Sequence, residues 1–127
     1  MKECKKCKKL KSLDSFVNRY TRYKDGKDTW CKDCKRNSTR IMKYGINNED
    51  YINLLIKQEY KCVICKIHED DLLKNNNKIY FPLCIDHSHK TNKVRGLLCH
   101  KCNRSIGLLN DDSSILYNAF KYLKEHE

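Results

Sequence analysis

Long apolar runs are missing from this 127-residue chain, and no stretch is long enough to span a bilayer. The opening Met1-Lys2-Glu3-Cys4-Lys5-Lys6 lacks the apolar run that would follow the basic residues of a secretory signal. Proline is confined to Pro82, and no low-complexity tract or long flexible linker interrupts the chain. Hydrocarbon is scarce as well: 39% of residues are apolar and 34% charged, which excludes a large core. The length allows one modest domain or two very small ones, and a chain this polar needs a disulfide or metal staple. These absences argue against a membrane-spanning or secreted protein and predict an intracellular, cytoplasmic one.

What the chain does have is cysteine. Eight of its nine cysteines form four C-x-x-C pairs, Cys4/Cys7, Cys31/Cys34, Cys62/Cys65 and Cys99/Cys102, and Cys84 is left over as a small buried hydrophobe. A two-residue gap lets both thiolates of a tight turn face one ion. The pattern therefore predicts two structural zinc ions, each on four cysteines, in a reducing compartment. A redox or chaperone protein with reactive pairs is a rival reading, which tight stoichiometric zinc would oppose.

Charge is unevenly placed. Residues 1–45 hold fifteen Lys/Arg against five Asp/Glu, a net of +10, and residues 46–127 hold twelve against eleven, a net of +1. Each cysteine-bound zinc adds −4 from thiolates and +2 from metal, so the loaded chain falls from +11 to about +7. The excess stays in the N-terminal third and points to a polyanionic partner, DNA or RNA. A proteome that makes every surface basic would not leave the second half near neutral.

Two parts follow from this organisation: a basic, zinc-ribbon-like DNA-binding unit over 1–45 and a second domain over 46–127. The first is expected to be a knuckle pair around a hairpin with its turn at Asp25-Gly26, then a basic helix from about Lys35 to Tyr44 stopped by Gly45. Asn47 is placed to cap a helix with Asp50 in its first turn and an apolar stripe of Tyr51, Leu54 and Leu55. Residues 69–78 read as a loop. Strands are predicted from about Ile79 to Asp86 and over Val94–Leu98, then a short helix from the last knuckle to about Gly107. A final helix is capped by Asp112 or Ser113, with Leu116, Ala119, Phe120 and Leu123 on one face.

The chemistry-bearing stretch is Cys84-Ile85-Asp86-His87-Ser88-His89 together with Val94-Arg95-Gly96-Leu97-Leu98-Cys99 and Cys102-Asn103. Zinc on Cys62, Cys65, Cys99 and Cys102 would clamp everything between into one unit and carry Asn103 back toward Asp86. Their oxygens are hard donors, suited to one Mg²⁺ or Mn²⁺. His87 can act as a general base near neutral pH, and His89 and Arg95 can hold phosphate oxygens. Too few carboxylates lie nearby for a two-metal site. Singly, each residue has a plainer role: Asp86 starts a turn, the histidines bind zinc or are solvated, and Asn103 caps a helix. Strict strand alternation also puts Asp86 and His87 on opposite faces, so the mechanism requires the chain to leave regular pleating there.

At these residues the chain resembles the recombination endonuclease VII family, a branch of the His-Me finger (HNH) nucleases. The resemblance implies a small α+β fold with a zinc-stapled ββα-metal nuclease core and a metal-dependent DNA endonuclease activity. It implies His87 as general base, Asp86 and Asn103 as Mg²⁺ ligands, and His89 assisting at the phosphate. Ser88 departs from the family, which often has a second Asp there. A longer helical C-terminal part, used by founding members for dimerisation, is not matched, so a homodimer is allowed but not implied. Phage origin is suggested by the same resemblance.

In the N-terminal unit, Arg19, Arg22, Lys24, Lys27, Arg36 and Arg40 are the predicted DNA contacts, with tyrosines and Trp30 interleaved. Trp30 can equally form the small core over the zinc. The alternative to an enzyme is a non-enzymatic zinc-ribbon nucleic-acid-binding regulator, which would leave Asp86, His87 and Asn103 without a joint role.

Overall fold

The computed structural model of the chain describes residues 1–75 and 82–127. It divides into two compact units, Met1–Ile52 and Asn53–Glu127. Among the described residues, no helix is long and apolar enough to cross a membrane.

The first unit opens with a two-residue antiparallel pair, β1 (Lys2–Glu3) and β2 (Leu10–Lys11). The knuckle between them is closed by Cys4 N–H donating to Lys9 O at 3.0 Å and Lys8 N–H donating to Cys4 O at 2.8 Å. Lys8 takes a left-handed backbone, φ 63°, at the point of reversal. β3 (Phe16–Asn18) then pairs antiparallel with β4 (Lys27–Cys31). Their connection closes where Arg19 N–H meets Gly26 O at 2.7 Å, with Gly26 at φ 72°, where the predicted Asp-Gly signal lies. α1 (Lys32–Tyr44) starts three residues earlier than expected because Cys31 and Cys34 are built into its beginning. It stops at Gly45 as expected, with φ 71° and the Gly45 N–H on Ile41 O. Cys4, Phe16 and Cys31 form the buried core, with Cys7, Cys34 and Trp30 packed against it.

α2 (Asn48–Lys57) is entered through a reciprocal cap. Asp50 N–H donates to Asn47 Oδ1 at 2.8 Å, and Asn47 N–H donates to Asp50 Oδ2 at 3.0 Å. Tyr51 and Leu55 are buried, as the apolar stripe requires.

The second unit repeats the knuckle geometry. Cys62 N–H donates to Ile67 O at 3.0 Å, Lys66 N–H donates to Cys62 O at 3.0 Å, and Lys66 has φ 65°. Where a loop was expected at 69–78, the structure has α3 (Glu69–Asn75), and residues 76–78 lie outside the described ones. The correction has a local cause. His68 Nδ1 accepts from Asp70 N–H at 3.1 Å, and Glu69, Asp70 and Asp71 place three acids where the helix dipole favours them.

The central hairpin is β5 (Cys84–His87) against β6 (Val94–Leu98), antiparallel. Residues 79–81 of the predicted first strand lie outside the described ones, and Pro82 and Leu83 precede the pairing. Ser88 shapes the connecting loop: its Oγ accepts from Lys90 N–H and Thr91 N–H, both at 3.3 Å. α4 (His100–Leu108) packs on both strands, and α5 (Ser113–Glu125) is capped by Asp112 Oδ1, which accepts from Ser114 and Ile115 N–H. α5 buries no residue. Phe120 and Leu123, expected on a packing face, are 55% and 62% exposed.

Candidate active site and metal centres

Each unit brings four cysteines together. Cys4, Cys7, Cys31 and Cys34 form one cluster, and Cys62, Cys65, Cys99 and Cys102 form the other; within each, the sulfurs lie within 4.8 Å of one another. In both, the first pair comes from a knuckle and the second from a helix start, α1 or α4. Tetrahedral zinc at about 2.3 Å from each sulfur requires sulfurs about 3.8 Å apart. Cys4 and Cys34 are 3.8 Å apart, and Cys65 and Cys99 are 3.7 Å apart, so both clusters suit zinc.

The electrostatics fit the same ion. Burial pushes the Cys4 thiol up, but backbone N–H groups of Cys7, Cys31 and Lys6 donate to the sulfur and bring it down to about 6. Cys62 behaves alike and reaches about 7 through N–H groups of Cys99, Cys65 and Ile64. Burial and then the neighbouring sulfurs push Cys34 up to about 12, and raise Cys102 as well. Four adjacent thiolates are stable only around a cation. Lys11 adds a further positive group, its Nζ donating to Cys31 Sγ at 3.2 Å.

The second cluster fixes the ββα unit. Residues 84–98 lie between its two cysteine pairs, with the hairpin leading directly into α4. Gln58, which the sequence did not single out, adds a second clamp: its side-chain amide donates to Leu97 O and accepts from Leu97 N–H, both at 2.9 Å. A Cβ added at Gly96 would lie 3.3 Å from Gln58 Oε1, so the close approach suits glycine.

Regular pairing fails at the chemistry-bearing residues. Asp86 pairs with Gly96 and His87 with Val94, which leaves Arg95 as the extra residue of a β-bulge. A bulge turns two successive side chains to one face, and Arg95 thereby reaches Asp86. Its Nε donates to Asp86 Oδ2 at 2.7 Å and its Nη2 to Asp86 Oδ1 at 2.9 Å. These hydrogen bonds to Asp86 raise the Arg95 guanidinium above its ordinary value. Nη2 also reaches Asp111 Oδ2 at 3.4 Å.

Asp111 is a second residue that sequence reasoning missed. α4 unwinds through Asn110 and Asp111, both left-handed at φ 59° and 53°, with Asp111 N–H on Ile106 O at 2.8 Å. Asn and Asp tolerate that conformation, which is the only local signal, and it says nothing about Arg95.

The rings of His87 and His89 meet edge to face with centroids 4.8 Å apart. His89 and Arg95 line a cleft of about 570 Å³ with Ser88, Lys90, Asp111 and Asp112. Asn103 is half-buried in the first turn of α4, its N–H on Cys99 O at 3.0 Å. Asp86 and Asn103 are thus carried on adjoining elements, but among the described residues no hydrogen bond links them; Arg95 holds the Asp86 carboxylate instead.

The predicted N-terminal contacts divide. Arg22, Lys24 and Arg36 are exposed, Arg36 alongside Asp33 at 2.6 Å. Arg19 lies 3.5 Å from Asp28, and Lys27 Nζ donates to Asn18 Oδ1 at 2.7 Å. Arg40 stacks 3.9 Å over the Tyr51 ring and donates to Asn48 Oδ1, so its fork is used inside the unit.

Comparison with known proteins bears on the same region. The gene 59 protein of Mycobacterium phage D29 is 39% identical over 89 residues, 68% of this chain and 49% of that protein. The gene 59 protein of Mycobacterium phage L5 is 37% identical over 87 residues, 67% and 48% of the two chains. The chain spans about half the length of these curated relatives. Among solved structures, the ββα-Me type II restriction endonuclease Hpy99I aligns with 98% of this chain and 65% of its own, at TM-score 0.42 and 23% identity. The sequence model of recombination endonuclease VII matches residues 37–125, which takes in the cysteine-clamped hairpin and helix, and the chain belongs to that family.

Proposed function

We propose that the chain is a metal-dependent DNA endonuclease that hydrolyses phosphodiester bonds to 5′-phosphate and 3′-hydroxyl ends. His87 is the general base, taking a proton from the attacking water. Asp86 and the side-chain carbonyl of Asn103 would hold one Mg²⁺ or Mn²⁺, hard oxygen donors for a hard ion. When bound, that ion supplies charge neutralisation at the phosphate and at the departing 3′ oxygen. His89 and Arg95 hold non-bridging phosphate oxygens from the cleft they line.

The observation that carries this reading is the bulge opposite the Asp86–His87 step, inside a unit clamped by four cysteines. The extra residue lies on β6 and turns the Arg95 guanidinium onto Asp86, while the rings of His87 and His89 meet at the same end of the hairpin. The Asp86 carboxylate, 12% exposed, already holds one cation, the Arg95 guanidinium. Residues 1–45 form the basic DNA-binding unit in this reading, with exposed Arg22, Lys24 and Arg36 neutralising phosphates.

Plasmid nicking with and without Mg²⁺, wild type against His87→Ala, tests the proposal. Nicking that requires Mg²⁺ and falls at least a hundredfold in the variant is expected. Equal behaviour of both proteins, with DNA still bound, would point to a zinc-dependent DNA-binding protein without catalysis.

A further inference from the structure

Asp86, Arg95 and Asp111 form a chain of charge in which one guanidinium serves two carboxylates. Arg95 puts Nε and Nη2 on Asp86 at 2.7 and 2.9 Å, and the same Nη2 lies 3.4 Å from Asp111. Asp86 is the more enclosed acid, 12% exposed against 24% for Asp111, and Arg95 is 38% exposed, on the open cleft. A guanidinium and a divalent ion are both cations, and both would need the same Asp86 oxygens.

We propose that Arg95 competes with the divalent ion for the Asp86 oxygens, and that Asp111 is a positioning residue that takes the guanidinium when the ion binds. The inference rests on the reading that Asp86 is an ion ligand. Arg95 has a short path between the acids, since Nη2 already contacts both and its fork has further N–H donors to offer. The left-handed turn at Asn110 and Asp111 holds the receiving carboxylate on the cleft that Arg95 also lines. Without Asp111, the ion must displace Arg95 into water with no acceptor waiting.

The test is Mn²⁺ titration of the zinc-loaded full chain, followed by the electron paramagnetic resonance of free Mn²⁺, in a double-substitution cycle. Asp111→Asn is expected to weaken Mn²⁺ binding about five- to tenfold, and Arg95→Gln to strengthen it. In the Arg95→Gln background, Asp111→Asn should change affinity less than about twofold, because no guanidinium remains to be received. If Arg95→Gln fails to fold, Arg95→Met serves the same arm, since it keeps an unbranched stem and removes the charge. An equal loss from Asp111→Asn in both backgrounds would mean that Asp111 acts on the ion only as a nearby charge, and would overturn the inference. No effect of Asp111→Asn in the wild-type background overturns it too. Asp86→Asn separates the two levels: if it leaves Mn²⁺ binding intact, the ion reading and this inference fall together. If it abolishes binding while the cycle is additive, only the inference falls.

Discussion

Gln58 sits beside Leu97 as a neighbouring strand would, donating to its carbonyl and accepting from its N–H, both at 2.9 Å. Leu97 is fully buried, so these backbone groups have no water to turn to. Gln58→Ala should cost about 1–3 kcal/mol, chiefly for the Leu97 N–H left unpaired, because Leu97 O also accepts from Val63 N–H at 3.4 Å. Urea denaturation of the zinc-loaded protein measures this, and a change under about 0.5 kcal/mol would mean that β6 repairs its own pairing.

Asp28 is the buried acid of the first unit, 2.5 Å from Lys35, and it accepts from Thr29 N–H at 2.7 Å. Burial pushes its carboxyl up, but Lys35 and the backbone N–H groups of Thr29 and Trp30 more than offset this, and the net shift is downward. A carboxyl depressed on folding stabilises fully above its unfolded pKa, near 4, and loses that contribution only as pH falls through the lower folded value. Asp28→Asn should therefore destabilise the protein by about 1–3 kcal/mol, and by the same amount throughout pH 5 to 8. A deficit that shrinks between pH 8 and 5 would assign the effect to another group.

Zinc should bind as two ions per chain, counted by native mass spectrometry. With Cys34 pushed up to about 12 and Cys102 also raised, the metal-free clusters hold thiols that the ion must deprotonate. Loading at neutral pH should release about two to three protons per zinc, read with a pH indicator, and stripping the metal should collapse both cores. Retention of full helical signal after complete chelation would contradict a structural role.

The basic side chains of the first unit should separate by what they already touch. Replacing exposed Arg22, Lys24 and Arg36 with alanine should weaken DNA binding and reduce its salt slope by about 0.9 for each lost phosphate contact, with stability nearly unchanged. Arg40→Ala should lower stability by about 1 kcal/mol through the lost Tyr51 stack, with a smaller effect on the salt slope. An Arg40 variant of full stability and reduced salt slope would reverse that assignment.

Local chemistry was legible wherever it acts over a few residues. The stop of α1 at Gly45 follows from a left-handed backbone that glycine adopts freely, and the Asn47–Asp50 and Asp112 caps follow from side chains next to the backbone groups they serve. So does the spacing of the cysteine pairs, because a two-residue gap is a property of one turn. The helix at Glu69–Asn75 was missed because its cap is His68, outside the usual capping residues.

Sequence alone determined the ligand chemistry: eight cysteines in four pairs, a basic N-terminal third, and an Asp-His step before a zinc knuckle. Tertiary structure alone decided that Arg95 turns onto Asp86 and Asp111, that Gln58 supports Leu97, and that α5 leaves Phe120 and Leu123 exposed. The physical reason is distance along the chain. Gln58 and Leu97 are 39 residues apart, and only closing the fold brings a side-chain amide to a distant backbone. The bulge likewise arises from the register of two strands, which neither strand specifies by itself.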